Sequence, residues 1–258
     1  MNILQYNILD GCQEEARFDG LSRWIRSQAG VYDVIGLNEL NGWSPERLAF
    51  HASRWGYSHS YLYETRVSPY YVGIVSKHPL QLVGLTEKPF HHGLLHVKAN
   101  GVHFLITHLC SSDSMERERE ADYIANTVSR ISEPLLVMGD LNTLSPHDDG
   151  YYKEYGLLET LESDDKLSRK FVVRGKLNYR PMQILLDAGL SDTGHGADFQ
   201  FSVPTSMNRD QMHAARMRLD YVLVNDALRK KHPVSSIIRD EKVEELSDHC
   251  PVRCEWTG

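Results

Sequence analysis

The sequence predicts an α/β protein in which two mixed β-sheets pack face to face and helices flank them. Three observations support this class. Strand-like apolar runs alternate with amphipathic stretches from end to end, several runs are joined by short turns, and no βαβ unit repeats. Hairpins combined with helical crossovers give mixed sheets, and without a βαβ repeat a two-sheet sandwich is favoured over a barrel.

Apolar runs of strand length recur throughout the chain. They cover residues 3–6, 34–37, 57–62, 70–76, 81–85, 94–98, 102–107, 135–138, 219–224, 234–238 and 250–256. Asn100-Gly101, between two of these runs, is a dipeptide typical of a hairpin turn. Helical spacing of apolar residues indicates helices between the first two strands, after Ser44-Pro45, and at 115–131 and 181–188.

Length and composition describe one globular domain spanning residues 1–258. The hydrophobic share of 41% and the charged share of 24% are ordinary for such a domain. The net charge of −7 argues against electrostatic binding of polyanions over a broad surface, although a local basic groove is compatible with this charge. Clustered carboxylates also suit a site for divalent cations.

Cysteine usage and hydropathy predict a cytoplasmic protein without membrane association. The four cysteines follow no metal-finger pattern, so we expect free thiols in a reducing compartment. No stretch approaches the roughly 18 apolar residues of a membrane span. The N-terminus enters a strand pattern without the features of a signal peptide.

Polar residues stand at the ends of strand-like runs, where side chains of neighbouring strands can meet in one cleft. The segments are Gln5-Tyr6-Asn7, Asn38-Glu39-Leu40, Thr107-His108-Leu109, Gly139-Asp140-Leu141-Asn142, Arg218-Leu219-Asp220-Tyr221 and Ser247-Asp248-His249. Singly, each has a plainer interpretation, as a turn residue, a solvated side chain, an Asx turn or a structural ion pair. Their occurrence together indicates a single site.

These residue types fit the hydrolysis of a phosphate ester. That reaction needs charge neutralised on the phosphoryl oxygens, an in-line nucleophile and help for the leaving oxygen. The carboxylates of Glu39 and Asp248 are ligands of the kind that Mg²⁺ prefers, and Asn7 adds a neutral oxygen. We therefore predict a metal site at these three residues, with Mg²⁺ as the cofactor and Mn²⁺ as a substitute.

The remaining polar residues supply acid–base and hydrogen-bonding groups. Asp140 is suited to orienting or deprotonating the attacking water, and Asn142 to donating hydrogen bonds to a phosphoryl oxygen. His108 and His249 can donate to the same oxygens when protonated. Asp220 is the natural partner of His249, since a nearby aspartate raises a histidine's affinity for its proton.

Other catalytic patterns do not occur in the sequence. It has no glycine-rich phosphate loop before a lysine and no Gly-x-Ser-x-Gly elbow. His91, His92 and His96 are close in sequence, but adjacent residues of a strand point to opposite faces. We interpret these three as structural or surface residues.

The order Asn, Glu, Thr-His, Gly-Asp-x-Asn, Arg-x-Asp-Tyr and Ser-Asp-His resembles the endonuclease/exonuclease/phosphatase superfamily, from Asn7 to His249. The resemblance implies a four-layer sandwich, with helices outside two mixed sheets and a site at one sheet edge. It also implies the metal, water-positioning and histidine roles given above.

One position near the site departs from the family pattern, and the acidic partner of one histidine is not fixed by the pattern. Asn38 precedes Glu39 where the family commonly has Gln, which leaves the metal role intact but affects the edge of the site. His108 occupies the second histidine position of many members, and Glu64 is the best candidate by position for its acidic partner.

Residues 148–180 interrupt the regular pattern with a charged, tyrosine-rich stretch whose length suggests a functional insertion. Six cations fall within fifteen residues of it; they are Lys166, Arg169, Lys170, Arg174, Lys176 and Arg180. One interpretation is a solvated loop whose cations balance nearby acids. The other is a substrate lid in which Lys170, Arg174 and Lys176 hold a phosphorylated or nucleotide-like ligand.

The sequence therefore predicts a metal-dependent hydrolase of phosphate esters. Its substrate would be a phosphorylated small molecule, a nucleotide or a short nucleic acid. Within the enzyme class, a phosphodiesterase or nuclease and a small-molecule phosphatase both remain open. A non-catalytic module that binds a phosphorylated ligand on the same fold is the alternative, but the filled catalytic positions favour the enzyme.

Overall fold

Two six-stranded mixed sheets form the centre of the computed structural model, which describes residues 1–196, 198–208 and 215–257. The first sheet contains β1 (Asn2–Asn7), β2 (Val34–Asn38), β3 (His59–Tyr63), β4 (Val72–Ser76), β13 (Val234–Ile237) and β14 (Val252–Glu255). The second contains β5 (Gln81–Thr86), β6 (Leu94–Ala99), β7 (Val102–Thr107), β8 (Leu135–Asp140), β11 (Ser191–Asp192) and β12 (Asp220–Val224).

Each sheet has one parallel pair among antiparallel neighbours. The strand orders are β13-β14-β1-β2-β4-β3 and β11-β12-β8-β7-β6-β5. β1 is parallel to β2, and β7 is parallel to β8. The predicted turn at Asn100-Gly101 joins β6 to β7, and its two residues take the positive φ angles of 47° and 78° that a tight hairpin turn requires.

Helices cover the outer face of each sheet. Helices α1 (Glu15–Gln28) and α2 (Pro45–Trp55) pack on the first sheet, and α3 (Ser114–Val128) and α7 (Arg180–Asp187) pack on the second. A third apolar cluster lies between the sheets, where residues such as Ile74, Phe104 and Met138 are fully buried. The predicted four-layer sandwich is therefore correct.

The helix ends follow local capping rather than apolar periodicity. The side chain of Asp113 accepts from the N–H groups of Met115 and Glu116 and starts α3, which ends before the predicted limit at 131. Ser44 caps α2 in the same way, by accepting from Arg47 N–H, and proline follows it as predicted. Small shifts of this kind leave the predicted elements in place.

Residues 148–180 fold into short elements around an apolar cluster of their own. These are α4 (Asp149–Glu154), α5 (Leu157–Glu162), α6 (Asp165–Phe171) and the hairpin of β9 (Val172–Val173) and β10 (Lys176–Leu177). Buried side chains of the segment, such as Leu161 and Phe171, pack with Met217 and Leu219. The segment is a packed layer beside the second sheet, and a plain solvated loop does not describe it.

The other short elements are α8 (Asp226–Arg229) and three 3₁₀ turns, Asp10–Cys12, Pro146–Asp148 and Val243–Glu245. All four cysteines are buried free thiols. Among the described residues, no helix has the length and apolar character needed to cross a bilayer.

Candidate active site

Strand register brings the predicted site residues to one edge of the sandwich. Asn7 ends β1, which is parallel to β2, so it lies beside Asn38. Asp140 ends β8, which is antiparallel to β12, so it lies beside Asp220. Segment 247–249 reaches the same edge because its serine hydroxyl donates to the Asn7 carbonyl at 2.7 Å.

Asn38 joins the two sheets beneath this edge. Its Oδ1 accepts from the backbone N–H of Asp140 at 2.8 Å and from Gln5 Nε2 at 2.6 Å. Its Nδ2 donates to the Thr107 carbonyl at 3.0 Å. The sequence singled out Asn38 only as a departure from the family pattern, whereas the structure makes it a buried link between the sheets.

The Gly-Asp-Leu-Asn segment is both a turn and part of the site. Asp140 Oδ1 accepts from the Asn142 N–H at 3.0 Å, as in an Asx turn, and Asn142 has a positive φ of 46°. Asn142 Nδ2 donates to the Leu109 carbonyl at 3.2 Å. Gly139 is required because a Cβ there would lie 1.8 Å from the Thr107 carbonyl oxygen.

Asp140 Oδ2 is the point on which the other side chains converge. His108 Nε2 lies 3.4 Å from it and His249 Nε2 lies 3.5 Å from it. Asn7 Nδ2 donates to the same oxygen at 3.2 Å. The carboxylate therefore faces three nitrogen atoms in a buried setting.

His249 is held between two aspartates. Its Nδ1 lies 2.6 Å from Asp220 Oδ2, the pairing predicted from the sequence, and its Nε2 faces Asp140. Burial by itself lowers the pKa of His249, but the charges of Asp220 and Asp140 outweigh it and raise that pKa well above 6.5. Both nitrogens lie beside carboxylates, which favour the protonated ring, the form in which both nitrogens can donate.

Glu39 and Asp248 form the acidic side of the site. Asn7 Nδ2 donates to Glu39 Oε1 at 3.0 Å, and Asp10 N–H donates to Glu39 Oε2 at 2.7 Å. Burial raises the pKa of Glu39 to about 7, and the neighbouring charge of Asp248 acts in the same direction. Glu39 also has a positive φ of 60°, a strained conformation of the kind found at functional sites.

The amide of Asn7 presents its nitrogen, and not its oxygen, to the neighbouring carboxylates. Its nitrogen faces the carboxylates of Glu39 and Asp140, while its Oδ1 accepts from the Leu9 N–H at 3.1 Å. In this orientation Asn7 holds the two carboxylates in place. Its predicted role as an oxygen ligand remains a prediction.

Asp140, Asp220 and His249 also offer ligand atoms that lie within 4.8 Å of one another. Such a group has the composition of a metal site. An imidazolium cannot bind a cation through a protonated nitrogen, however, and both nitrogens of His249 face carboxylates. The carboxylates of Glu39 and Asp248, which line the same cavity, are a second set of oxygen donors.

His92 belongs to the candidate site, contrary to the sequence interpretation. Residues 91 and 92 lie in the loop before β6 and not in a strand, so the alternation argument does not apply to them. The His92 ring stacks on His108 with centroids 4.4 Å apart, and its Nδ1 lies 2.6 Å from Ser68 Oγ. Burial lowers the pKa of both rings, that of His92 to about 2, so neither is charged at neutral pH.

Glu64 does not pair with His108. The Glu64 side chain is exposed and lies in a different cleft, beside Tyr63 and Arg66. The Nδ1 atom of the buried His108 has no hydrogen-bond partner within the described parts of the chain. Position in the sequence was the sole basis for this pairing, and Glu64, directly after β3, lines a cleft that His108 does not reach.

A cavity of about 280 Å³ opens over these residues. Its lining includes Glu39, His108, Asp140, Asn142, Lys170, Asp248 and His249, together with Asp10, Tyr70, His91 and His92. Asn7 and Asp220 are not among the lining residues, but they contact Asp140 and His249, which are. Of the three cations predicted to bind substrate, Lys170 lines this cavity, whereas Arg174 and Lys176 are exposed on the β9–β10 hairpin.

The chain belongs to the endonuclease/exonuclease/phosphatase family, whose model matches residues 4–249. This is a family of phosphoesterases and nucleases, and the match covers every segment that the sequence singled out. None of the curated proteins matches the chain in sequence.

Solved structures of several nucleases share the fold over the full length of both chains. An AP endonuclease from Archaeoglobus fulgidus superposes with a TM-score of 0.74 at 16% identity, each chain being covered completely. A 3′-5′ exonuclease from Neisseria meningitidis gives 0.70 at 17%, also with complete coverage. A 3′ phosphatase from Neisseria, bound to a product DNA hairpin, gives 0.71 at 17% with the same coverage.

Proposed function

We propose that this protein hydrolyses phosphate esters with a bound divalent cation, and that its substrate is a nucleic acid end or a nucleotide-like molecule. The observation that carries the proposal is the buried ring of His249, set between Asp220 and Asp140, in a cavity that the carboxylates of Glu39 and Asp248 also line. The likeness in fold to nucleases and to a 3′ phosphatase supports this substrate class.

The acidic side of the site fits a hard divalent cation. Burial raises the pKa of Glu39 and the charge of Asp248 acts in the same direction, so a cation held by the two carboxylates would offset both effects. Oxygen donors of this type suit Mg²⁺, with Mn²⁺ as a substitute. When bound, the cation would neutralise charge on the phosphoryl oxygens.

Asp140 is the group we assign to the attacking water. It is held through its backbone N–H by Asn38 and through Oδ1 by Asn142, so its Oδ2 has a fixed direction towards the cavity. There it can orient a water molecule and accept its proton. The water oxygen then bonds to phosphorus while the bond from phosphorus to the leaving oxygen breaks, and the leaving group departs as an alcohol once it gains a proton.

His249 and Asn142 stabilise the charge that develops on the phosphoryl oxygens. The N–H of an imidazolium is a charge-assisted donor, and a donor fixed before the reaction needs no reorganisation in the transition state. Asn142 Nδ2 uses one hydrogen for the Leu109 carbonyl and keeps a second one for substrate. His108, which is neutral, would contribute an uncharged N–H donor beside Asp140.

A small-molecule phosphatase is the second candidate. The net charge of −7 disfavours a long polyanion outside the site, and the cavity of about 280 Å³ suits a small phosphorylated group. Both candidates use the same residues and differ in what lies beyond the scissile phosphate.

A substrate panel tests the proposal. Purified protein would be assayed with Mg²⁺ on a phosphodiester, a phosphomonoester, a 3′-phosphorylated oligonucleotide and an intact duplex. We expect turnover of at least one ester, its loss in chelator, and its loss in Asp140→Ala but not in Asp226→Ala, which changes an exposed aspartate. Absence of turnover on the whole panel would favour a non-catalytic binding module.

A further inference from the structure

We propose that Lys170 binds the phosphoryl group that is being cleaved, so that the insertion at 148–180 completes the active site. This inference rests on the proposed hydrolysis of phosphate esters. It differs from the lid interpretation of the sequence, in which the cations of the segment grip a remote part of the substrate.

Lys170 differs from the other cations of the insertion in burial. Five of the six cations, all within the described residues, are exposed, whereas Lys170 is only 5% exposed. Its side chain lines the same cavity as His108, Asp140 and Asn142. The neighbouring cation on helix α6, Arg169, points to solvent.

The backbone of Lys170 is fixed to the strand end that carries His108. Arg117, a buried residue of α3, donates from Nη2 to the Lys170 carbonyl and from Nη1 to the Cys110 carbonyl at 2.8 Å. Cys110 lies two residues after His108, in the loop that follows β7. One guanidinium therefore connects helix α6 of the insertion to the wall of the active site.

Aromatic packing restrains the side chain of Lys170 as well. Its Nζ lies 5.4 Å from the centre of the Phe171 ring, and the guanidinium of Arg117 lies 5.7 Å from the same ring. Cations at such distances are attracted to the face of an aromatic ring. Lys170 is thus held in position before any substrate arrives.

The cavity must receive an anion, since every phosphate ester carries charge on its non-bridging oxygens. Lys170 lines the cavity together with Asp140 and Asn142, and its charge acts on His108. A cation there can offset repulsion between the substrate and the site's carboxylates. Contact with the scissile group should therefore matter for every ester that the enzyme cleaves, however small.

Kinetics of matched variants test this inference. We would compare Lys170→Met and Lys170→Arg with Arg169→Met, an exposed control one residue away on the same helix. The substrates are a minimal nitrophenyl monoester, a minimal nitrophenyl diester and a 3′-phosphorylated oligonucleotide. Lys170→Met should lower kcat/KM by about 10²- to 10³-fold on each ester that the wild type cleaves, as expected for a lost transition-state donor. Arg169→Met should stay within about twofold, and Lys170→Arg should retain part of the activity.

Two results would overturn the inference. A loss confined to the oligonucleotide would assign Lys170 to a remote group. A changed Mg²⁺ activation constant with unchanged inhibition by inorganic phosphate would mean that Lys170 only balances the site's carboxylates. Thermal melting would confirm that each variant is folded, and Lys170→Gln would replace Lys170→Met if the latter is not.

Calorimetry separates this inference from the proposed function. If the wild type cleaved no ester, the hydrolase proposal would fail on its own. Titration of inorganic phosphate into the wild type and the Lys170→Met variant, both with Mg²⁺, would still test the contact. Weaker phosphate binding by the variant would support it, and equal binding would contradict it.

Discussion

Asn38 Oδ1 accepts the backbone N–H of Asp140 at 2.8 Å, across a separation of 102 residues in the chain. This hydrogen bond joins the end of β2 in one sheet to the end of β8 in the other. The carboxylate to which we assign the attacking water is thus positioned by a neutral side chain of the opposite sheet.

Replacing Asn38 should therefore affect stability and activity together. Asn38→Leu leaves the Asp140 N–H, the Thr107 carbonyl and the Gln5 amide without their partner in a buried region. Each unsatisfied group costs roughly 1–3 kcal/mol, so we expect a loss of about 3 kcal/mol or more in the free energy of unfolding. Urea denaturation measures it, with Asn126→Leu on the exposed face of α3 as the control. A variant as stable as the wild type would show that this link is dispensable.

Mg²⁺-supported activity should be lost when the charge of Glu39 is removed. Glu39→Gln keeps the shape of the side chain but removes one of the two carboxylates of the proposed cation site. We expect Mg²⁺-supported kcat/KM to fall by about 10²-fold or more, with an unchanged circular dichroism spectrum. Glu64→Gln is the matched control, because Glu64 is exposed outside the cavity and should retain full activity. Full wild-type activity in chelator would contradict the metal assignment.

His249 and Asp220 should behave as one unit in catalysis. Because Asp220 keeps the His249 ring protonated, losing either partner removes the same charged donor. The double variant Asp220→Ala/His249→Ala should then lose no more in kcat than the worse single variant. Steady-state kinetics of the four proteins measure this. If the increases in activation free energy of the two single variants add up to that of the double variant, the two residues act separately.

The stability of the fold should depend on pH through Glu120. This buried residue of α3 accepts from the His91 N–H at 2.6 Å and the Cys110 N–H at 2.8 Å, and burial raises its pKa from 4.5 to about 7. A carboxyl group with a raised folded pKa stabilises the fold below its unfolded pKa, and this contribution is lost as pH rises from 4.5 through 7. A shift of this size corresponds to about 3 kcal/mol.

The Glu120 effect appears as a difference between two proteins. The unfolding free energy of the wild type minus that of Glu120→Gln should fall by about 3 kcal/mol between pH 4.5 and pH 8, measured in chelator. A parallel series with Glu159→Gln, on α5 of the insertion, should show no such trend. A constant difference across this range would mean that the Glu120 pKa is not raised.

Arg117 should act on catalysis through Lys170. Arg117→Met removes the donors to the Lys170 and Cys110 carbonyls and should cost about 2 kcal/mol or more of stability. Its effect on kcat/KM, corrected for the folded fraction, should vanish when Lys170 is already methionine. The measurement is a double-mutant cycle on a minimal ester. An equal effect in both backgrounds would mean that Arg117 acts on the site by another route.

The sequence by itself determined the layers of the fold and the set of polar residues at the sheet edge. Strand periodicity is a local property, and the Asn-Gly hairpin and the Ser44 cap depend on adjacent residues only. The polar residues stand at the ends of buried strands, and strand register aligns those ends. Asp140 and Asp220 are therefore neighbours once β8 pairs with β12. Their partnership with His249 follows from the same edge.

Tertiary structure decided the contacts that link distant segments. His92 reaches His108 because a loop folds back beside β7, and Asn38 reaches Asp140 because two sheets pack face to face. No periodicity distinguishes Lys170 from the exposed Arg169 beside it, since the short helix α6 gives too few turns to define a face. Helix α6 is held at the active site by Arg117, which donates to the Lys170 carbonyl from 53 residues away in sequence. Local patterns thus identify strands and their ends, whereas the fixing of each side chain depends on neighbours that only the folded chain brings together.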